Sequence, residues 1–141
     1  MGKSILTRTM KTTNGRNGTI TSDDRDFTLA LAMPQEMGGK GDASKSNPEE
    51  LFAAGYSACF ASSMQYILQS ENIEHGDFYA KAVCELSKDE DNNGFKFSVV
   101  MEADIEGLQK SQKQDVVDKA YRFCPYSRAI HGNVDVELVV K

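Results

Sequence analysis

Residues 51–70, LFAAGYSACFASSMQYILQS, carry no charged side chain. That run constrains the fold more than any other stretch, because it has to be buried somewhere. A bilayer span needs about 20 predominantly apolar residues, and this stretch is interrupted by Gly55, Ser57, Ser62, Ser63, Gln65, Gln69 and Ser70. It reads instead as a helix packed inside a protein, with no membrane contact. The preceding NPEE sets its start: Asn47 as N-cap, Pro48 in the first position, and Glu49 and Glu50 in the first turn.

The remaining chain supplies partners for that helix. Residues 4–12 and 18–23 are rich in Thr and Ile and read as strands, with TNGRNG (13–18) as the turn between them. In FTLALAM (27–33) Phe27, Leu29, Leu31 and Met33 alternate as a strand requires. These segments form an N-terminal β-meander over about residues 1–33, followed by a loop over 34–46. FYAKAVCEL and FKFSVVMEADI flank DEDNNG, and Asn93-Gly94 predicts a tight hairpin turn. A second helix is expected from Ser111, with Gln114 completing a capping box and Val116, Val117, Ala120 and Phe123 as its apolar stripe. Pro125 disfavours helical geometry at Cys124 and should end it. NVDVELVV (133–140) closes as a strand. This order predicts a single α+β domain over residues 1–141, an antiparallel sheet packed on two main helices.

Composition removes several functions. Sixteen Lys and Arg against 21 Asp and Glu give a net charge of −5, and no basic cluster suggests a nucleic-acid partner. The opening MGKSILTRTM has no apolar stretch for a signal peptide, and Leu6 stands where a myristoylation motif requires Ser or Thr. Three cysteines without an export signal point to the cytoplasm, where disulfides are usually transient and catalytic. There is no CxxC, and His75 and His131 sit at no metal-ligand spacing, so a zinc site is not expected.

Cys84 lies on the alternating face of a strand with Ala82 and Leu86 and reads as a small buried residue. Cys59, alone in the middle of the buried helix, also reads as core. Cys124 is placed differently: it ends a helix before a proline, where a partner can reach it. The two could form a reversible disulfide, although spacing in the sequence does not establish that they meet. A nucleophilic cysteine needs a nearby cation to hold its thiolate. Among the arginines, Arg16 is the candidate, carried between Gly15 and Gly18 on a turn that can aim it, and Glu49 could orient it. Glu49 and Cys59 lie ten residues apart on one helix, about 15 Å of rise. A site using both takes Glu49 from elsewhere, most simply from a second copy, which implies a two-fold homodimer with the site at the interface.

NPEELFAAGYSACF (47–60) together with FCPYSRAIHGNVDVEL (123–138) resembles the organic hydroperoxide resistance (Ohr) branch of the Ohr/OsmC superfamily, and NGRNGTITSDD (14–24) resembles that family's Gly-Arg-x-Gly turn. The resemblance covers nearly the whole chain. It implies an OsmC/Ohr-like fold in an intertwined dimer to which the meander contributes. It also implies a cysteine-based thiol peroxidase that reduces organic hydroperoxides, including fatty-acid hydroperoxides, to alcohols with no metal, haem or other cofactor. By motif position Cys59 would be the peroxidatic and Cys124 the resolving cysteine, Arg16 the residue stabilising thiolate and peroxide, and Glu49 the carboxylate orienting Arg16. The implied reductant is a lipoylated protein, with dihydrolipoamide as the dithiol. An apolar substrate pocket is expected from Phe52, Tyr56, Phe60, Met64 and Phe123. Asn14, Ser46 and Glu50 depart from the family pattern, and Glu50 offers Arg16 a second carboxylate. Other readings are an OsmC-like peroxidase of different substrate range, a non-catalytic peroxide sensor or binder on the same fold, and a Cys-His hydrolase using His131, which has no oriented acid partner in the sequence.

Overall fold

The computed structural model describes residues 2–141. The chain divides into two compact units, the first ending at Leu51 and the second spanning Phe52–Lys141.

In the first unit β1 (Met10–Thr13), β2 (Thr19–Ser22) and β3 (Thr28–Ala30) form an antiparallel sheet in that order. The expected first strand over residues 4–12 is shorter and shifted. β2 ends at Ser22, whose hydroxyl turns to the Asp24 carboxylate at 2.6 Å, and beyond Met10 the pairing is reduced to one bond, Asp23 N–H to Thr9 O at 3.3 Å. The 13–18 turn is a single 3-10 turn, Gly15–Asn17. Asn14 and Gly15 both take left-handed backbone, φ 65° and 61°. Asn is among the few side chains that adopt this region readily. Gly18 is required for another reason: a Cβ there would lie 1.7 Å from the Thr13 carbonyl oxygen. Beyond β3, Leu31 is bridged in parallel to Ser46, which returns the 34–46 loop to the start of α1 (Pro48–Ser70). Asn47 caps that helix as expected, its Oδ1 accepting the Glu50 N–H at 2.8 Å.

The second unit is built around α1, in which Tyr56, Phe60, Met64 and Leu68 recur every four residues and are fully buried. They pack in one core with Val99, Met101, Ala103 and Ile105 of β5 (Gly94–Ile105) and with Val116, Val117 and Ala120 of α2 (Lys110–Phe123). Each of the Val, Leu, Ile, Met and Phe side chains among them contributes roughly 1.5–3 kcal/mol on leaving water. The serines of α1, Ser63 buried and Ser62 exposed, satisfy their hydroxyls on the helix's own carbonyls. Ser62 bonds Ala58 O at 2.8 Å and Ser63 bonds Cys59 O at 2.9 Å.

β4 (Phe78–Asp89) pairs antiparallel with β5, and β6 (Asp135–Val140) pairs with β5 in parallel. The sheet is therefore mixed, not wholly antiparallel. The connection from β5 to β6 runs through α2 and a short α3 (Pro125–Ile130), and a helical crossover of this kind returns the chain in the same direction. The hairpin turn is also wider than a two-residue Asn-Gly turn. Asp89 pairs with Gly94, Asn93 alone takes the left-handed conformation at φ 52°, and Asp89 accepts the Asn92 side-chain amide at 2.9 Å. α2 begins before Ser111: Gln109 is its N-cap and Gln112 Oε1 accepts the Gln109 N–H at 3.0 Å. Gln114 instead donates to Asp118 one turn on. Cys84 faces the core side of β4 opposite Val99 and is half-buried. Among the described residues no helix is long and apolar enough to cross a membrane.

Candidate active site

Cys124 sits at a junction. It is the C-cap of α2 and the N-cap of α3, extended at φ −61° and ψ 121°, with Pro125 as the first residue of α3. Proline explains both halves: it forbids α2 from continuing and has the φ that starts α3. The Cys124 N–H closes α2 on Ala120 O at 2.8 Å, and its carbonyl accepts the Arg128 N–H at 3.0 Å. These bonds fix a buried sulfur 3.4 Å from Cys59 Sγ. The contact is a non-bonded thiol pair, about 1.4 Å longer than a disulfide.

The junction is tied to α1 in the turn that precedes Cys59. Tyr56 Oη and Ser127 Oγ share a buried hydrogen bond of 2.6 Å, and burial pushes the Tyr56 phenol up to about 12. The Tyr126 ring lies over Gly55, where a Cβ would meet its hydroxyl at 2.9 Å. The sequence shows Tyr126 and Ser127 only as the residues after Cys124 and assigns neither a role. Both follow Cys124 in the CPYS run, and their distance from α1 in the sequence hid the contact.

Burial raises the Cys59 thiol above its ordinary pKa, the neighbouring Cys124 adds to this, and a backbone hydrogen bond from Tyr126 opposes it. No cation enters that balance.

The cation expected for it lies in the first unit. The Arg16 guanidinium forks onto Glu49, Nη1 to Oε2 at 2.9 Å and Nη2 to Oε1 at 2.5 Å. Glu49 and not Glu50 is the partner, since Glu50 Oε1 accepts the Ser46 hydroxyl at 2.9 Å. The 3-10 turn presents Arg16, and its first-turn position on α1 presents Glu49. The two-pronged bond holds the Glu49 carboxyl below its usual range and raises Arg16. Glu49 is therefore expected to titrate below ordinary glutamates when followed by carboxyl-carbon NMR. The pair's stabilisation is complete above the unfolded-state carboxylate pKa of about 4.3 and is lost as pH falls through the depressed native value. A normal titration in the wild type, or one that Arg16→Gln leaves unchanged, would rule out the fork.

The expected pocket residues divide. Tyr56, Phe60 and Met64 have no exposed surface and belong to the core, which corrects their assignment to a pocket: the four-residue row that makes α1 amphipathic turns them toward β5. Phe52 is half-buried and stacks on Phe97 at 4.8 Å. Phe123, expected in the apolar stripe of α2, is 45% exposed and lies parallel to Tyr66 at 4.4 Å. Tyr66 follows Cys59 by seven residues, two turns of helix, so the pair borders the same side of α1. His131 Nδ1 is 3.1 Å from Tyr121 Oη, a phenol and not the carboxylate that a hydrolase base needs. Among the described residues no cluster of His, Cys, Asp or Glu could hold a metal ion.

This arrangement matches known proteins over its whole length. The family model described as OsmC-like protein matches residues 39–139. The chain is 42% identical to organic hydroperoxide resistance protein-like 2 of Staphylococcus epidermidis, covering 99% of this chain and 98% of that one. It is 39% identical to the organic hydroperoxide resistance protein OhrB of Bacillus subtilis over 97% and 98%. Among solved structures, an organic hydroperoxide resistance protein from Legionella pneumophila superposes with a TM-score of 0.92 at 41% identity, covering 99% of each chain. One from Elizabethkingia anophelis gives 0.93 at 38%, again covering 99% of each. With its α+β fold and its full-length likeness to these proteins, the chain belongs to the Ohr/OsmC family, on the organic hydroperoxide resistance branch.

Proposed function

We propose that the protein confers organic hydroperoxide resistance as a cysteine-based thiol peroxidase, reducing organic hydroperoxides, fatty-acid hydroperoxides among them, to alcohols. The observation that carries this reading is the Cys59–Cys124 pair, two thiols 3.4 Å apart on elements held together by the Tyr56–Ser127 bond. The Cys59 thiolate attacks the distal peroxide oxygen, the O–O bond breaks, the alkoxide takes a proton and leaves as alcohol, and Cys59 becomes a sulfenic acid. The Cys124 thiol then displaces hydroxide from that sulfur, releasing water and forming the disulfide. An external dithiol, dihydrolipoamide on a lipoylated protein, reduces it by exchange and is itself oxidised.

Cys59 needs a cation for the first step, because burial holds its thiol protonated. Arg16, fixed on Glu49, is the residue suited to it. Glu49 and Cys59 are about 15 Å apart along α1, so the reading places the Arg16–Glu49 fork of one copy against Cys59 of a second in a two-fold homodimer. The N-terminal segment supports an intertwined assembly, since Ile5 and Leu6 are 97% and 67% exposed and residues 3–9 form no strand in this chain.

Counting thiols in the denatured protein tests the pairing. Three are expected before peroxide treatment and one after it, the survivor mapping to Cys84. Three after treatment, or loss of Cys84, would reject the Cys59–Cys124 disulfide. A wild type that oxidises once and is not restored by dihydrolipoamide would instead establish a sensor.

A further inference from the structure

The chain has five arginines, and three are engaged. Arg16 is forked on Glu49, Arg8 donates to the Thr7 carbonyl at 2.8 Å, and Arg25 lies over the Phe27 ring at 4.6 Å. Among the described residues the side chains of the other two, Arg122 and Arg128, make no ion pair or hydrogen bond. Both line one cleft of about 280 Å3 between α2 and α3, with Tyr121, Ser127 and His131 as its other walls. Arg122 occupies the last turn of α2 and Arg128 that of α3.

Exposed Arg122 and Arg128 bring two guanidinium groups to one concavity with no carboxylate partner among the described residues, in a chain where 21 Asp and Glu outnumber 16 Lys and Arg. Like charges gathered without a counter-ion repel, and a bound anion relieves that repulsion. The groups present are suited to an oxyanion. Guanidinium forks match the paired oxygens of carboxylate or phosphate, and Tyr121 Oη and the His131 ring, already in contact at 3.1 Å, add polar groups from the cleft wall. The volume falls just below the usual range for small-molecule sites, which suits an anionic headgroup with at most a short tail.

We propose that the α2–α3 cleft is an oxyanion-binding site in which Arg122 and Arg128 hold a carboxylate or phosphate group, with Tyr121 and His131 completing its walls. The site is separate from the thiol pair and needs no redox step. Its position has a consequence for that pair. Arg122 and Arg128 flank Cys124 in the chain, and the Arg128 N–H bonds the Cys124 carbonyl, so an anion bridging the two arginines braces the junction that carries the sulfur.

The test is amide NMR of the reduced wild-type protein at low ionic strength, titrated separately with inorganic phosphate and with octanoate, with sodium chloride as the ionic-strength control. Saturable shifts are expected at Tyr121, Arg122, Ser127, Arg128 and His131 with at least one of the two anions. Phosphate alone would identify a free phosphate ligand, and octanoate alone the carboxylate of an acyl ligand. Arg122→Gln and Arg128→Gln should each weaken binding about tenfold, corresponding to one charge-assisted pair. Arg128→Lys should retain part of the affinity and Arg25→Gln all of it. Failure of both anions to saturate, or saturation that survives the Arg122→Gln/Arg128→Gln double substitution in a protein with unchanged circular dichroism, would overturn the proposal.

Discussion

Cys59→Ser is expected to abolish consumption of cumene hydroperoxide in the presence of dihydrolipoamide, leaving only the uncatalysed rate. Serine keeps the shape of the side chain on α1, but its hydroxyl does not ionise near neutral pH and cannot attack the peroxide oxygen. Cys124→Ser is expected to behave differently. It should consume about one equivalent of peroxide per chain and then stall or recycle slowly, because the Cys59 sulfenic acid forms but has no thiol 3.4 Å away to condense with. Cys59→Ser leaves the Tyr56–Ser127 bond in place and should change stability little, whereas Cys124→Ser puts a hydroxyl at a fully buried position and should cost about 1–3 kcal/mol; thermal unfolding checks both. Turnover that survives Cys59→Ser would remove Cys59 as the nucleophile. Full-rate cycling by Cys124→Ser would show that the external dithiol attacks the sulfenic acid directly and that Cys124 resolves nothing.

The elements were legible where local chemistry decides them. Asn47-Pro48 starts α1, Pro125 ends α2, and the alternation from Val99 to Ile105 marks one buried face of β5. The parallel pairing of β6 was not legible, because strand direction depends on where a crossover returns the chain and neither strand encodes it. The capping box was displaced because Gln109 is an uncommon N-cap, while Ser111 is a favoured type that lies inside the helix. In the site, the pairs Cys59–Cys124 and Arg16–Glu49 were named from the sequence, and each lies in contact. The aromatic pocket was not readable. The row Tyr56, Phe60, Met64 has the right residue types for a pocket, but it follows the spacing that buries a helix. The exposed aromatic pair Tyr66–Phe123 comes from two elements and has no linear pattern.

The second large effect is expected at Arg16. Arg16→Ala should lower kcat/KM for organic hydroperoxides about 10²–10³-fold, the range for removing one donor that stabilises developing charge. Burial and the neighbouring Cys124 raise the Cys59 thiol, so without a cation little of it is thiolate at neutral pH. The sign of the pH dependence follows. In the variant the rate should keep climbing with pH beyond the point where the wild type levels off, because the thiolate then has to be generated by the solvent. Arg16→Lys separates charge from geometry. A lysine restores the positive charge but not the two-pronged bond to Glu49, so it should recover part of the rate with a pH profile between the other two. Glu49→Gln should fall in the same direction with a smaller loss, since it leaves the guanidinium present but no longer aimed. If Arg16→Ala retained the wild-type rate and pH profile, the thiolate would have to be stabilised by another group, and the role proposed for the Arg16–Glu49 fork would be withdrawn.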